Sequence, residues 1–163
     1  MAGNRRTERG ATLVEFAIIA PMLFLLLFGV LEFSRLIAAY TSVWTSAREG
    51  ARYATTSDVS TISPTMPRYV DCVGIKQTAR SRVFLADISN SDITVQFFDE
   101  AGVQVADCSG ASPDSALIQS GYSVRVTVDT EFNAVVPVLS KFLSNINLHS
   151  EQERSIFRGM LGA

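Results

Sequence analysis

Histidine occurs once in this chain, at His149, and cysteine only twice, at Cys72 and Cys108. Two isolated cysteines without CxxC spacing, far from the one imidazole, do not make a zinc site. No serine or cysteine nucleophile motif lies near His149. No phosphate-binding glycine loop, dinucleotide glycine pattern or EF-hand spacing is present either. The adjacent acids Asp99 and Glu100 would point to opposite sides of a strand, so they are read as turn residues. No catalytic constellation remains, and neither enzymatic activity nor a cofactor or metal is expected. The net charge of −2 gives no support to nucleic-acid binding. No internal repeat is visible.

Charge is missing most completely from Phe16 to Leu31, FAIIAPMLFLLLFGVL. With Ala11–Val14 and Glu15 the stretch amounts to roughly 21 residues, about 31 Å of helix at 1.5 Å per residue. That matches a hydrocarbon core of about 30 Å. Glu15 is the exception. A carboxylate in a span costs about 2.5–3.5 kcal/mol at the bilayer centre and less near its edge, which marks it as functional by default. Taken alone, these residues leave two readings open. One is an uncleaved signal anchor whose Glu15 reaches the headgroups. The other is a cleaved signal peptide, although the run is long for an h-region and good cleavage sites are absent. Arg5, Arg6 and Arg9 precede the run against a single Glu8, so the N-terminus belongs in the cytoplasm and everything after Leu31 outside.

The order Arg9-Gly10, four residues, Glu15-Phe16, then an apolar helix bearing Pro21 resembles a type IV prepilin signal. GATLVEFAIIAPMLFLLLFGVLEFSR resembles in particular the TadE-like pseudopilins of tight-adherence pilus systems. The resemblance covers about residues 8–54 and is only architectural beyond them. It implies cleavage by a prepilin peptidase between Gly10 and Ala11, with the apolar helix kept on the mature chain and Glu15 as its fifth residue. Major pilins of these systems tend to carry Tyr after the Glu and are shorter, so Phe16 and the large C-terminal region point to the minor branch. The implied partners are that peptidase, the major pilin and other minor pilins or pseudopilins, an inner-membrane assembly platform, and membrane lipid. The implied location is the bacterial inner membrane, with possible incorporation into a surface pilus. A signal-anchored periplasmic binding or sensor domain is the competing class. A pseudopilin of a type II secretion system fits the EFAIIAP pattern less well.

Residues 1–10 read as a polar, disordered leader, with the helix starting near Ala11 or Thr12. Pro21 removes one backbone donor, and a kink is expected near it. Residues 11–31 form the transmembrane part and 32–56 an amphipathic extension of one helix about 65 Å long. In that extension Phe33, Leu36, Ile37, Tyr40, Val43, Trp44, Ala47, Ala51 and Ala54 recur at spacings of three and four. They read as one stripe buried against a head domain. Residues 57–163 form that head, periplasmic or extracellular, where a Cys72–Cys108 disulfide would persist. Such a bridge would close a loop of about 37 residues, worth ~3–4 kcal/mol on the chain-entropy model. Two unpaired buried thiols are the alternative.

Within the head, 58–68 reads as a Ser/Thr/Pro loop and 70–87 as a helix with Val73, Ile75, Ala79, Val83 and Phe84 on one face. Ile93, Val95 and Phe97 alternate with polar residues before Asp99-Glu100-Ala101-Gly102, which is hairpin chemistry returning through Val103 and Val105. Tyr122 to Phe132 alternates cleanly, with a charged outer face. Pro137–Phe142 reads as a short helix, Ile146–Phe157 as an edge strand blunted by its charges, and 159–163 as frayed. The expected fold is α+β: a pilin-like lollipop whose long N-terminal helix packs on a small head of one helix and an antiparallel sheet.

Overall fold

The computed structural model describes residues 5–56, 59–60, 66–86, 88–136, 140–141 and 145–157, with side chains from Thr12 onward. Helix α1 spans Arg5–Thr55 and passes through Pro21. Helix α2 spans Cys72–Arg80, preceded by a 3-10 turn at Arg68–Val70. The strands are β1 (Ile93–Phe98), β2 (Gln104–Asp107), β3 (Ser123–Phe132) and β4 (Ile146–Ser155). They form one sheet in the order β2-β1-β3-β4. All three pairings are antiparallel. This is the expected α+β architecture of a long helix with a small head.

The sheet follows from side-chain alternation. Ile93, Val95 and Phe97 of β1 and Val124, Val126, Val128 and Phe132 of β3 face inward and are buried. Their neighbours form the wet face, where Arg125 sits between Glu151 (3.2 Å) and Glu153 (2.8 Å). Hydrogen bonds from Ser123 and from Arg125 hold the Glu153 carboxyl below its ordinary range. The hairpin between β1 and β2 is closed by Asp99, whose carboxylate accepts from the N–H groups of Ala101 and Val103. Gly102 takes φ +78°, a conformation that favours glycine. Leaving β4 at an edge accords with its exposed Glu151, Glu153 and Arg154.

Helix α1 is two helices in function. Its second half lies against α2, β3 and β4. The contact face is Ala39, Ser42, Val43, Ser46, Ala47, Gly50, Ala51 and Ala54, all buried. These residues are small, so the backbones approach closely. A Cβ on Gly50 would meet Ala79 Cβ at 3.1 Å and Val126 Cγ1 at 3.2 Å. Ser46 donates to the Ala79 carbonyl (2.8 Å) and Ser42 to that of Phe84 (3.1 Å), so hydroxyls on the contact face satisfy carbonyls near the end of α2 and beyond it.

Several expectations need correction. The chain is already helical at Arg5, ahead of Ala11 or Thr12, since only Gly10 in RRTERG disfavours a helix appreciably and arginine and glutamate are good helix formers. The single apolar stripe is two stripes. Phe33, Ile37, Tyr40 and Trp44 are exposed, and only the small residues with Val43 and half-buried Leu36 face the head. The two faces are about 100° apart, one residue's rotation, so both satisfy the three-four spacing and merge on paper. Helix α2 ends at Arg80 instead of Asp87. Val73 and Phe84 are exposed, and Leu85 adopts φ +65°, which no helix tolerates. Val103 and Val105 are exposed because β2 is a short edge strand. Ser140 and Lys141 are helical, while 137–139 and 142 of the expected short helix lie outside the described residues, as do much of the 58–68 loop and the 159–163 tail.

Cys72 and Cys108 form a disulfide with Cα atoms 5.6 Å apart, and no cysteine is free. It ties the first residue of α2 to the residue after β2, the least buried strand. Replacing both cysteines by serine is expected to lower stability by about 2–4 kcal/mol. Denaturant titration of the full chain with and without reductant checks this, with the wild type converging on the variant once reduced.

Candidate functional site

Two regions hold polar or apolar groups that the core does not explain. The first is the free half of α1. From Leu13 to Leu31 every large apolar side chain is exposed, and an 18-residue window there has mean hydropathy 2.5 with none of it buried. Water is a poor solvent for such a surface, so it calls for lipid or other helices. Glu15 and Phe16 project from this half, and Glu15 forms no ion pair among the described residues. Gly10 and Ala11 lie in helical backbone, and Pro21 lies inside the helix. Glu15, Phe16 and Pro21 are all exposed. They are gathered only by sharing one unaccompanied rod. The exposed stripe of Phe33, Ile37, Tyr40 and Trp44 prolongs that rod's apolar surface alongside the head, with Arg48 stacked on the Trp44 ring at 5.4 Å.

The second region is the junction where the rod meets the head. Glu32 directly follows the uncharged run, yet only 2% of it is exposed. Its carboxylate accepts from the Val135 N–H at 2.6 Å, more than a hundred residues away in sequence. It also receives Arg35 Nη1 at 2.9–3.0 Å, one helical turn on. Arg35 in turn lies 5.5 Å over the Phe132 ring, the last residue of β3. A buried carboxylate is tolerable because both a cation and a backbone donor meet it. The sequence shows a balanced pair on one helix but not the distant N–H, so spacing alone cannot reveal this clamp.

At the far end of the head a comparable lock closes on Asp71. This buried residue caps α2 by accepting from Gly74 N (2.9 Å) and also accepts from Tyr53 Oη (2.9 Å) and Ser60 Oγ. Aspartate just before a helix is a readable cap. Its hold on α1 through Tyr53 is not. Elsewhere, an open groove of about 650 Å³ is lined by Leu85, Asp92, Asp129, Glu131 and Asn147. Its walls are polar and shallow, and His149 pairs with Asp129 on the sheet face beside it (2.6 Å). Among the described residues no cluster of histidine, cysteine, aspartate and glutamate has the arrangement of a metal site.

The bare rod is long and apolar enough to cross a membrane once, and it carries a folded α+β head. More particularly, residues 10–52 match the family model described as TadE-like protein. The match covers the rod and most of the helix that enters the head, and it stops short of the head's other elements. It agrees with the resemblance carried by the Gly10-to-Pro21 stretch. No curated protein and no solved structure matches the chain.

Glu32→Ala is expected to cost about 1–3 kcal/mol, because the Val135 N–H and the Arg35 guanidinium lose their shared acceptor. Chemical unfolding of the full chain in detergent, followed by circular dichroism, measures it.

Proposed function

We propose that this chain is a minor pilin or pseudopilin, a single-pass prepilin of the inner membrane that takes part in assembling a tight-adherence type IV pilus. The observation that carries the reading is the coincidence of the family match with a helix whose apolar half the protein itself leaves uncovered. In this reading residues 1–10 are the cytoplasmic leader, 11–31 the membrane-embedded part, 32–56 its extension and 57–163 the periplasmic head. The arginines ahead of the span support that orientation.

Prepilin peptidase is the processing partner, cutting between Gly10 and Ala11. Since the backbone there is helical, the scissile bond has to leave the helix to enter a protease. Glycine eases this, being about 1 kcal/mol less favourable than alanine in a helix interior. Cleavage leaves an ammonium group on Ala11. Glu15 then neutralises such an amine, its own or a neighbour's, as pilin helices bundle, which gives association a register. The exposed Phe33, Ile37, Tyr40 and Trp44 continue the contact surface toward the major pilin, other minor pilins and the assembly platform.

The competing class, an uncleaved signal-anchored binding or sensor domain, draws no support from the open groove of about 650 Å³, whose lining is mainly polar. Intact mass of the protein extracted from native membranes separates the two. Loss of residues 1–10 with Ala11 as the new N-terminus supports the pilin reading. A full-length chain in a host with active prepilin peptidase overturns it. Glu15→Ala is expected to leave insertion and processing unchanged but to reduce recovery in pilin complexes by about tenfold or more, as for loss of an ion pair in lipid. Normal incorporation of that variant sinks the role given to Glu15.

A further inference from the structure

The head is fixed at a definite height on its rod. Strand β3 runs antiparallel to α1: Val126 lies beside Gly50, and Phe132 lies under Arg35. Fifteen helical residues and six strand residues both span about 20 Å, so the two elements stay in step. The chain leaving β3 therefore returns to the level of Glu32, and the Val135 N–H ends within 2.6 Å of its carboxylate. Glu32 is also the first residue after the uncharged run ending at Leu31.

We infer that the 133–136 segment is a membrane-contacting base, seated at the boundary between headgroups and acyl chains with the Val135 side chain directed to lipid. This rests on the reading of residues 11–31 as a span. Three observations select lipid as the occupant. The rod residues on either side of Glu32, Leu31 and Phe33, are apolar and exposed. Val135 is 70% exposed although its own N–H is anchored one side chain away from the boundary. Glu32, the acid that anchors this segment, is buried and paired with Arg35, so it presents no bare carboxylate to the bilayer. The opposite end of the head, at Tyr53, stands 21 residues higher on α1, about 32 Å away. The Glu32–Val135 hydrogen bond thus acts as a depth stop that seats the head on the membrane.

The test uses the full chain in vesicles of phosphatidylethanolamine and phosphatidylglycerol. Single cysteines at exposed positions, Val135→Cys, Phe24→Cys and Val73→Cys, are labelled with an environment-sensitive fluorophore, the native disulfide being left intact. Quenching is read from lipids carrying a nitroxide either near the head or near the end of the acyl chain. Val73 adjoins Gly74, beside Tyr53, at the raised end of the head, so its probe reports the aqueous baseline. The Val135 probe is expected to be quenched by the shallow nitroxide about twofold or more above that baseline, and the Phe24 probe mainly by the deep one. A Val135 probe at baseline beside a deeply quenched Phe24 probe overturns the proposal and leaves the anchor standing. A blue-shifted Val135 probe that no lipid quenches means protein covers the base, which also overturns it. Failure of lipid quenching at Phe24 removes the span itself, and the proposal with it.

Discussion

A carboxylate at the end of an apolar helix has to be either wetted or partnered, and Glu32 is partnered. Its contacts with Arg35 and the Val135 N–H set the register between α1 and the chain that leaves β3. Everything nearer the C-terminal end of α1 follows from that register. Only with the helix at this height do Ala39, Val43, Ala47, Gly50 and Ala54 meet the inward faces of α2 and β3, where a single added methyl at Gly50 would press on Ala79 and Val126. Interiors packed this closely respond to volume changes of one methylene. The polar clamp and the small-residue face therefore specify each other.

The asymmetry of α1 is the link between fold and proposed role. Along one helix the solvent requirement changes abruptly, from a segment exposed on every side to one whose inner face is completely buried. A soluble core helix would bury its apolar window, and none of this one is buried. The head contributes its own closed core and a charged outer sheet face, so it has no need of the rod's free half for stability. That division leaves the free half available to other molecules while the head stays folded.

Much of this was legible in the residues. Alternation at Ile93–Phe97 and Tyr122–Phe132, the hairpin at Asp99–Gly102 and the apolar run before Leu31 each encode their structure locally. Gly10, Glu15, Phe16 and Pro21 stood out by pattern, since a motif within a dozen residues needs no fold to be seen. What stayed hidden depended on distance or on size. Periodicity cannot separate two apolar faces one residue's rotation apart, so Tyr40 and Trp44 were grouped with Val43 and Ala47. Side-chain volume distinguishes them: small residues turned inward and large aromatics outward. The partners of Glu32 and Asp71 come from loops and elements whose placement only the tertiary fold provides. Helix α2 looked longer because Val83 and Phe84 keep the spacing, while the left-handed backbone at Leu85 leaves no mark in composition.

The antiparallel course of β3 beside α1 has a mechanical consequence. A pull along the axis of the rod, of the kind a subunit in a filament under tension would feel, loads the helix–sheet contacts in shear. Ala39 through Ala54, the Ser42 and Ser46 hydrogen bonds and the two end clamps then resist together instead of parting one after another. The Cys72–Cys108 bridge lies off this line, holding α2 to the outer strand. The head is built to withstand extraction along its stem while peeling from the side would meet far fewer contacts at once.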